Sequence, residues 1–157
     1  MIASVAGYAQ RSQDFASRFV KIHQADTTIQ CVTVSPKMME QIAKSQDESR
    51  NAAIRQAIGK LKSARIVTAS NCYYDSAEEL LQQNATRFQF DTDYQHGEKH
   101  GVFYKRKNRK GNTVELIMLH ADDKQERLTI VNLTGDLDED FISSLAQGIT
   151  GQSPHTD

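Results

Sequence analysis

The sequence predicts an α+β fold, with a mostly antiparallel sheet, a C-terminal β-meander and helices packed mainly on one face. Three observations carry this expectation. Residues 90–133 hold four strand-like segments separated by short polar, glycine-bearing turns. Upstream of them, apolar residues recurring at helical spacing alternate with short β-branched runs. Within the meander, Leu116-Ile117-Met118-Leu119 is apolar on both faces, which a strand accommodates only in a central, doubly covered position.

In chain order, Phe15, Phe19 and Ile22 predict a short amphipathic helix over 13–24, with Ser12 as its cap. The run 29–34 is rich in β-branched residues and reads as a strand. Ser35-Pro36 then supplies an N-cap and a first-turn proline for a helix through Met38, Met39 and Ile42. Polar residues 44–50 read as an exposed loop, after which Ile54, Ile58 and Leu61 share one helical face. Residues 65–70 return to strand composition. Asp75 with Glu78 resembles a capping box, opening a helix whose inner face carries Ala77, Leu80, Leu81, Ala85 and Phe88. The meander strands follow at 90–96, 102–106, 113–120 and 127–133. Gly135-Asp136 ends the sheet, and Asp136 with Glu139 caps a last helix bearing Phe141, Ile142 and Leu145. The crowding of Asp136, Asp138, Glu139 and Asp140 there is explained by the exposed amides and dipole of a helix start.

The 157 residues suit one domain, large enough to bury a single core. Lys plus Arg number 19 against 20 for Asp plus Glu, so the net charge of −1 removes the broad attraction on which nucleic-acid binding rests. Residues 1–10, MIASVAGYAQ, resemble the back half of a secretory signal peptide: an apolar run passes into small residues and ends at Ala9 before polar Gln10-Arg11-Ser12. The expected organisation is a signal-peptide remnant over 1–10, one α+β domain over 11–147 and a mobile polar tail over 148–157. No cysteine adjoins the cleavage point to support a lipid anchor, and no later apolar run approaches the roughly 20 residues of a membrane span. Export, to the periplasm or outer envelope, is the expected address.

Three segments, CVTVSPKMM (31–39), GVFYKRKNRKGNTVELIML (101–119) and LTIVNLTGDLDEDFISSL (128–145), resemble those of domain-of-unknown-function family 4252. That family comprises small exported proteins common in Bacteroidetes, and the likeness covers about residues 13–147. The shared motifs are structural: a serine-capped helix after a strand, a hairpin, and a capped terminal helix. The resemblance implies export and fold, carries over no catalytic residue, and implies a link to envelope signalling, since some members are encoded near extracytoplasmic sigma-factor systems.

Four groups of residues carry candidate chemistry. In an extended strand His96, Glu98 and His100 would project to one face and offer two imidazoles and a carboxylate to a divalent metal, with His120 as a fourth ligand. Gly97 and Gly101 give the same segment a competing reading as a solvated hairpin turn, which would abolish the common face. Lys105, Arg106, Lys107, Arg109 and Lys110 lie across another hairpin tip, either as a solvated edge that resists sheet aggregation or as a contact for an anionic partner. Tyr73 and Tyr74 either line a partner surface or cover the end of the core. Cys31 and Cys72 either pair as a disulfide or stand as separate buried thiols. Met38-Met39 reads as core filling rather than a soft metal site.

No catalytic or cofactor-binding signature is read. Ser153 behind Gly151 lacks the strand-turn-helix setting of a nucleophile elbow. The expected function is therefore an exported envelope protein, a binding or accessory component with an envelope protein or other envelope component as partner. The alternative is a ligand- or metal-binding protein, or a hydrolase, using the region around His96, Glu98 and His100. Oligomeric state is not readable.

Overall fold

Among the described residues, six antiparallel strands form one sheet in the order β1-β2-β6-β5-β4-β3. The computed structural model describes residues 13–35, 37, 38, 41 and 60–139. Within them the elements are α1 (Phe15–Ile22), β1 (Gln30–Val34), β2 (Leu61–Ser70), a 3₁₀ turn (Asn71–Tyr73), α2 (Tyr74–Gln83), β3 (Gln89–His96), β4 (Lys99–Lys107), β5 (Thr113–Asp122) and β6 (Arg127–Leu137). The connection through α2 carries the chain from β2 to the far edge, and the meander β3 to β6 returns it to pair with β2.

The α+β architecture and the antiparallel meander agree with the sequence. Both described helices lie on one face: Phe15, Ala16 and Phe19 of α1 and Ala77 and Leu81 of α2 join Val67, Val102, Tyr104, Ile117, Leu119, Leu128 and Ile130 in one buried cluster. Alternation sends the other side chains of the strands to the second face, where Val34, Leu61, Ala64, Phe103, Leu116, Met118, Leu133 and Leu137 form a separate cluster. β5 lies between β6 and β4, and residues 116–119 are buried on both faces. No helix among the described residues is long and apolar enough to cross a membrane.

Several elements depart from the sequence-based expectation. Asp14, not Ser12, caps α1, its Oδ1 accepting from Ser17 N at 2.9 Å. Leu61 opens β2 rather than closing a helix, and its register with Gly135 extends β6 beyond the predicted end of the sheet. The capping box does not form, because Ser70 caps the intervening 3₁₀ turn and Tyr73 precedes α2 with no side-chain cap. α2 stops at Gln83, yet Phe88 still reaches the core through edge contact with Phe15. Ser35 does bond Met38 N at 3.2 Å, but Met38 is 46% exposed and fills no core. The signal-like residues 1–10, the helix face at Ile54 and Ile58, the terminal helix beyond Glu139 and the tail lie outside the described residues.

The start of α1 is bonded directly to the sheet. Phe15 N donates to Glu115 Oε2 at 2.9 Å and Ala16 N to Asn132 Oδ1 at 2.7 Å, while Asp14 serves Ser17 N. Each of these first-turn amides would otherwise lack an acceptor. Glu115 on β5 is fully buried; it also accepts from Asn132 Nδ2 at 2.9 Å and from Arg106 Nε at 2.8 Å. Arg65 on β2 completes the anchor by pairing with Asp14.

Glu115→Ala is therefore expected to lower unfolding free energy by about 3 kcal/mol or more, because it strands buried donors and the Arg106 charge. Asn132→Ala is expected to cost about 1–3 kcal/mol. Urea titration of the full chain checks both; a loss below about 1 kcal/mol for Glu115→Ala would contradict the anchoring role.

Candidate functional site

The β3–β4 hairpin sets the fate of the proposed metal triad. His96 pairs with Lys99 across a two-residue loop in which Gly97 has φ +62°, the pattern of a type II′ turn. Because the strand ends at His96, the i, i+2, i+4 alternation is interrupted. His96 shares the second face with Tyr94, whereas His100, paired with Gln95, points to the first. Glu98 sits in the turn itself. The predicted His96–Glu98–His100 set is thus not brought together, and among the described residues no group of three or more His, Cys, Asp or Glu could hold a metal ion. His100 instead meets Asp123 at 3.2 Å and packs edge-on to Tyr74, with ring centroids 4.7 Å apart.

His120 and Tyr94 form a couple that the sequence reading did not find. Tyr94 pairs with Gly101 on β4, and Gly101 pairs with His120 on β5, so the three lie in one row on the second face. The Tyr94 ring extends across Gly101, lies within 20° of the plane of the His120 ring with centroids 5.8 Å apart, and bonds its hydroxyl to Nδ1. A Cβ at position 101 would collide with the Tyr94 ring and with the Leu119 carbonyl oxygen. The glycine that suggested a turn is therefore mid-strand, where it makes room for an aromatic side chain.

Burial raises the Tyr94 hydroxyl to about 12, so it stays protonated and donates. Desolvation and then the charge of Lys99 lower His120, against a smaller opposing effect of Asp122. A neutral imidazole accepting at Nδ1 carries its proton on Nε2, so the couple retains one further donor. Placement of Tyr94 and His120 in one row required knowing the strand register, which neither motif nor periodicity reveals.

The basic cluster divides by role. Lys105 pairs with Asp91 at 3.1 Å and Glu139 at 3.6 Å; desolvation opposes its charge, but these carboxylates outweigh that and hold the ammonium above its ordinary value. Arg106 points to the opposite face and bonds Glu115. Lys107, Arg109 and Lys110 are exposed at the β4–β5 tip. Asn108 organises that tip: its Oδ1 accepts from Lys110 N and Asn112 N, each at 3.0 Å, and its backbone bonds Gly111 N and Asn112 O at 3.0 and 2.9 Å. Of the residues predicted as one cationic surface, Lys105 and Arg106 hold the fold, while Arg109 and Lys110 face solvent.

The tyrosines and cysteines lie apart from this tip. Tyr73 donates to Asp26 and stands edge-on to Phe19, covering the end of the helical core, and the bonds from Thr28 and Tyr73 hold Asp26 below its ordinary value. Burial, then Glu78, pushes the Tyr74 hydroxyl well above its usual range. Cys31 on β1 and Cys72 in the 3₁₀ turn are both free and exposed, so neither the disulfide nor the buried-thiol reading describes them.

A family model described as a domain of unknown function, DUF4252, matches residues 23–145. The chain belongs to the DUF4252 family. The matched segment begins at the residue following α1 and includes every described strand of this DUF4252 sheet, the Tyr94–His120 couple and the basic tip among them. Comparison with curated proteins found no match.

Gly101→Ala is expected to destabilise by about 1–3 kcal/mol through overpacking, with loss of the Tyr94–His120 bond visible in the His120 side-chain NMR shifts. The lowered His120 value also sets the sign of a pH effect. Between its folded value and the ordinary imidazole value of 6.5, the unfolded chain binds the extra proton, so this contribution to stability falls as pH falls through that window. Well above 6.5 both states are neutral at this site and the penalty vanishes. His120→Gln is expected to flatten the difference in melting temperature between about pH 7.5 and pH 5.5; an unchanged difference would contradict it.

Proposed function

We propose that this DUF4252 protein is exported and works in the bacterial envelope by binding, using the β4–β5 hairpin tip to contact an acidic surface of an envelope component. The observation that carries the binding reading is the tip itself. Lys107, Arg109 and Lys110 face solvent on a loop whose backbone is held by Asn108, in a chain with net charge −1. A preorganised loop loses little conformational entropy on binding, and clustered exposed cations steer an anionic partner toward it. The same cations on a flexible segment would be an ordinary solvated run.

Export is supported by the passage of MIASVAGYAQ from apolar to small residues ahead of Gln10. An accessory role in envelope signalling follows from the family resemblance and is part of the same proposal. Catalysis is not part of it, because the charged groups Glu115, Arg106 and Lys105 are engaged in holding helix and sheet.

Two measurements test this reading. Protein isolated from its own cells is expected in the envelope fraction with its first residue at Gln10 or Arg11; cytosolic protein beginning at Met1 overturns export. The double variant Arg109→Glu, Lys110→Glu is expected to reduce recovery of a specific envelope component at least about tenfold, with wild-type binding weakening as salt rises. Equal recovery by variant and wild type overturns the assignment of the tip.

A further inference from the structure

The two edges of the sheet are built differently. β3 carries Asp91 and Asp93, and its pairing with β4 shifts register between Phe90 and Thr92. Charge and a bulge are the usual devices that stop an edge strand from pairing with another chain. β1 has neither. Its sequence QCVTV contains no charge, and its five pairs with β2, from Gln30↔Thr68 to Val34↔Ala64, run without a shift.

The side chains from Gln30 to Thr33 are exposed, and Val32 is 53% exposed. Val32 pairs with Ile66, itself 37% exposed, and Ile66 pairs with Val131, so an apolar row runs inward from this edge on the second face. We propose that β1 is a self-association edge, pairing antiparallel with β1 of a second copy about a two-fold axis at Val32.

The strand is its own complement in that arrangement. Val32 lies opposite Val32, Cys31 opposite Thr33 and Gln30 opposite Val34, so no like charges meet and every facing pair includes a β-branched residue. On the second face the row becomes Ile66–Val32–Val32–Ile66, joining two exposed apolar strips that each chain leaves in water. A two-fold axis requires such self-complementarity, and a net charge of −1 opposes association little. A charged peptide would find no matching charge along β1, which favours a second copy as the occupant. A five-residue ladder is a small contact, so the dimer is concentration-dependent rather than permanent.

Sedimentation velocity of the full chain between about 5 and 500 µM is expected to show a monomer–dimer equilibrium. Val32→Lys places two ammonium groups opposite each other across the axis. It is expected to weaken association at least about tenfold while leaving the urea midpoint unchanged at the lowest, monomeric concentration, since the side chain is more than half exposed. In a Cys72→Ser background, Thr33→Cys is expected to give a covalent dimer on mild oxidation, with peptide mapping placing the bond between positions 31 and 33. A chain that stays monomeric throughout overturns the proposal and leaves this edge to a strand of another protein. A dimer indifferent to Val32→Lys, or a cross-link that maps to another pair, overturns it equally.

Discussion

The buried carboxylate of Glu115 is the interaction on which the rest of the arrangement depends. It lies on the central strand β5, where a bare charge would be costly, and is compensated by Arg106 on one neighbouring strand, Asn132 on the other and the first amide of α1 above. One side chain thus ties three adjacent strands to the helix that closes the core. A one-residue slip of β5 would send Glu115 to the opposite face and break every one of those bonds. The network therefore specifies register as well as stabilising it. The placement of Phe15 and Phe19 against Leu81 and Phe88 follows from where that helix begins.

Division of the sheet into two faces governs what its polar residues can do. On the first face, charged and amide groups are drawn into holding α1, and Tyr73, Tyr74 and His100 pack at the ends of the helical cluster. On the second, the apolar cluster gives way to a row containing Tyr94, Gly101 and His120, and to the exposed strip of Val32 and Ile66. Strand alternation explains why His96 and His100, four residues apart, face opposite ways while Tyr94 and His120, far apart in sequence, touch. It also explains why adjacent Lys105 and Arg106 serve different carboxylates.

The proposed interaction surfaces stand at the margins of this frame. At the β4–β5 tip Asn108 satisfies the backbone locally, leaving three cations with solvent as their main environment. The β1 edge is regular and uncharged, in contrast to the acidic and bulged β3. Neither surface competes with the groups that hold the core together, so each can change without disturbing Glu115 and its partners.

Residue order and period determined the α+β class, the antiparallel meander and the central position of the strand through Leu116-Ile117-Met118-Leu119, because these follow from local spacing and from burial on both faces. Membership of the family was legible for the same reason, since its motifs are runs of adjacent residues. The site chemistry was less legible. A carboxylate at 115 and an amide at 132, each at an inward position of a buried strand, were the available signal that a polar network had to exist. Which groups met there, and which histidine met which tyrosine, was decided by strand register and by a two-residue turn at Gly97. Those are tertiary facts, because pairing joins residues that the chain places far apart and a shift of one position reverses every face.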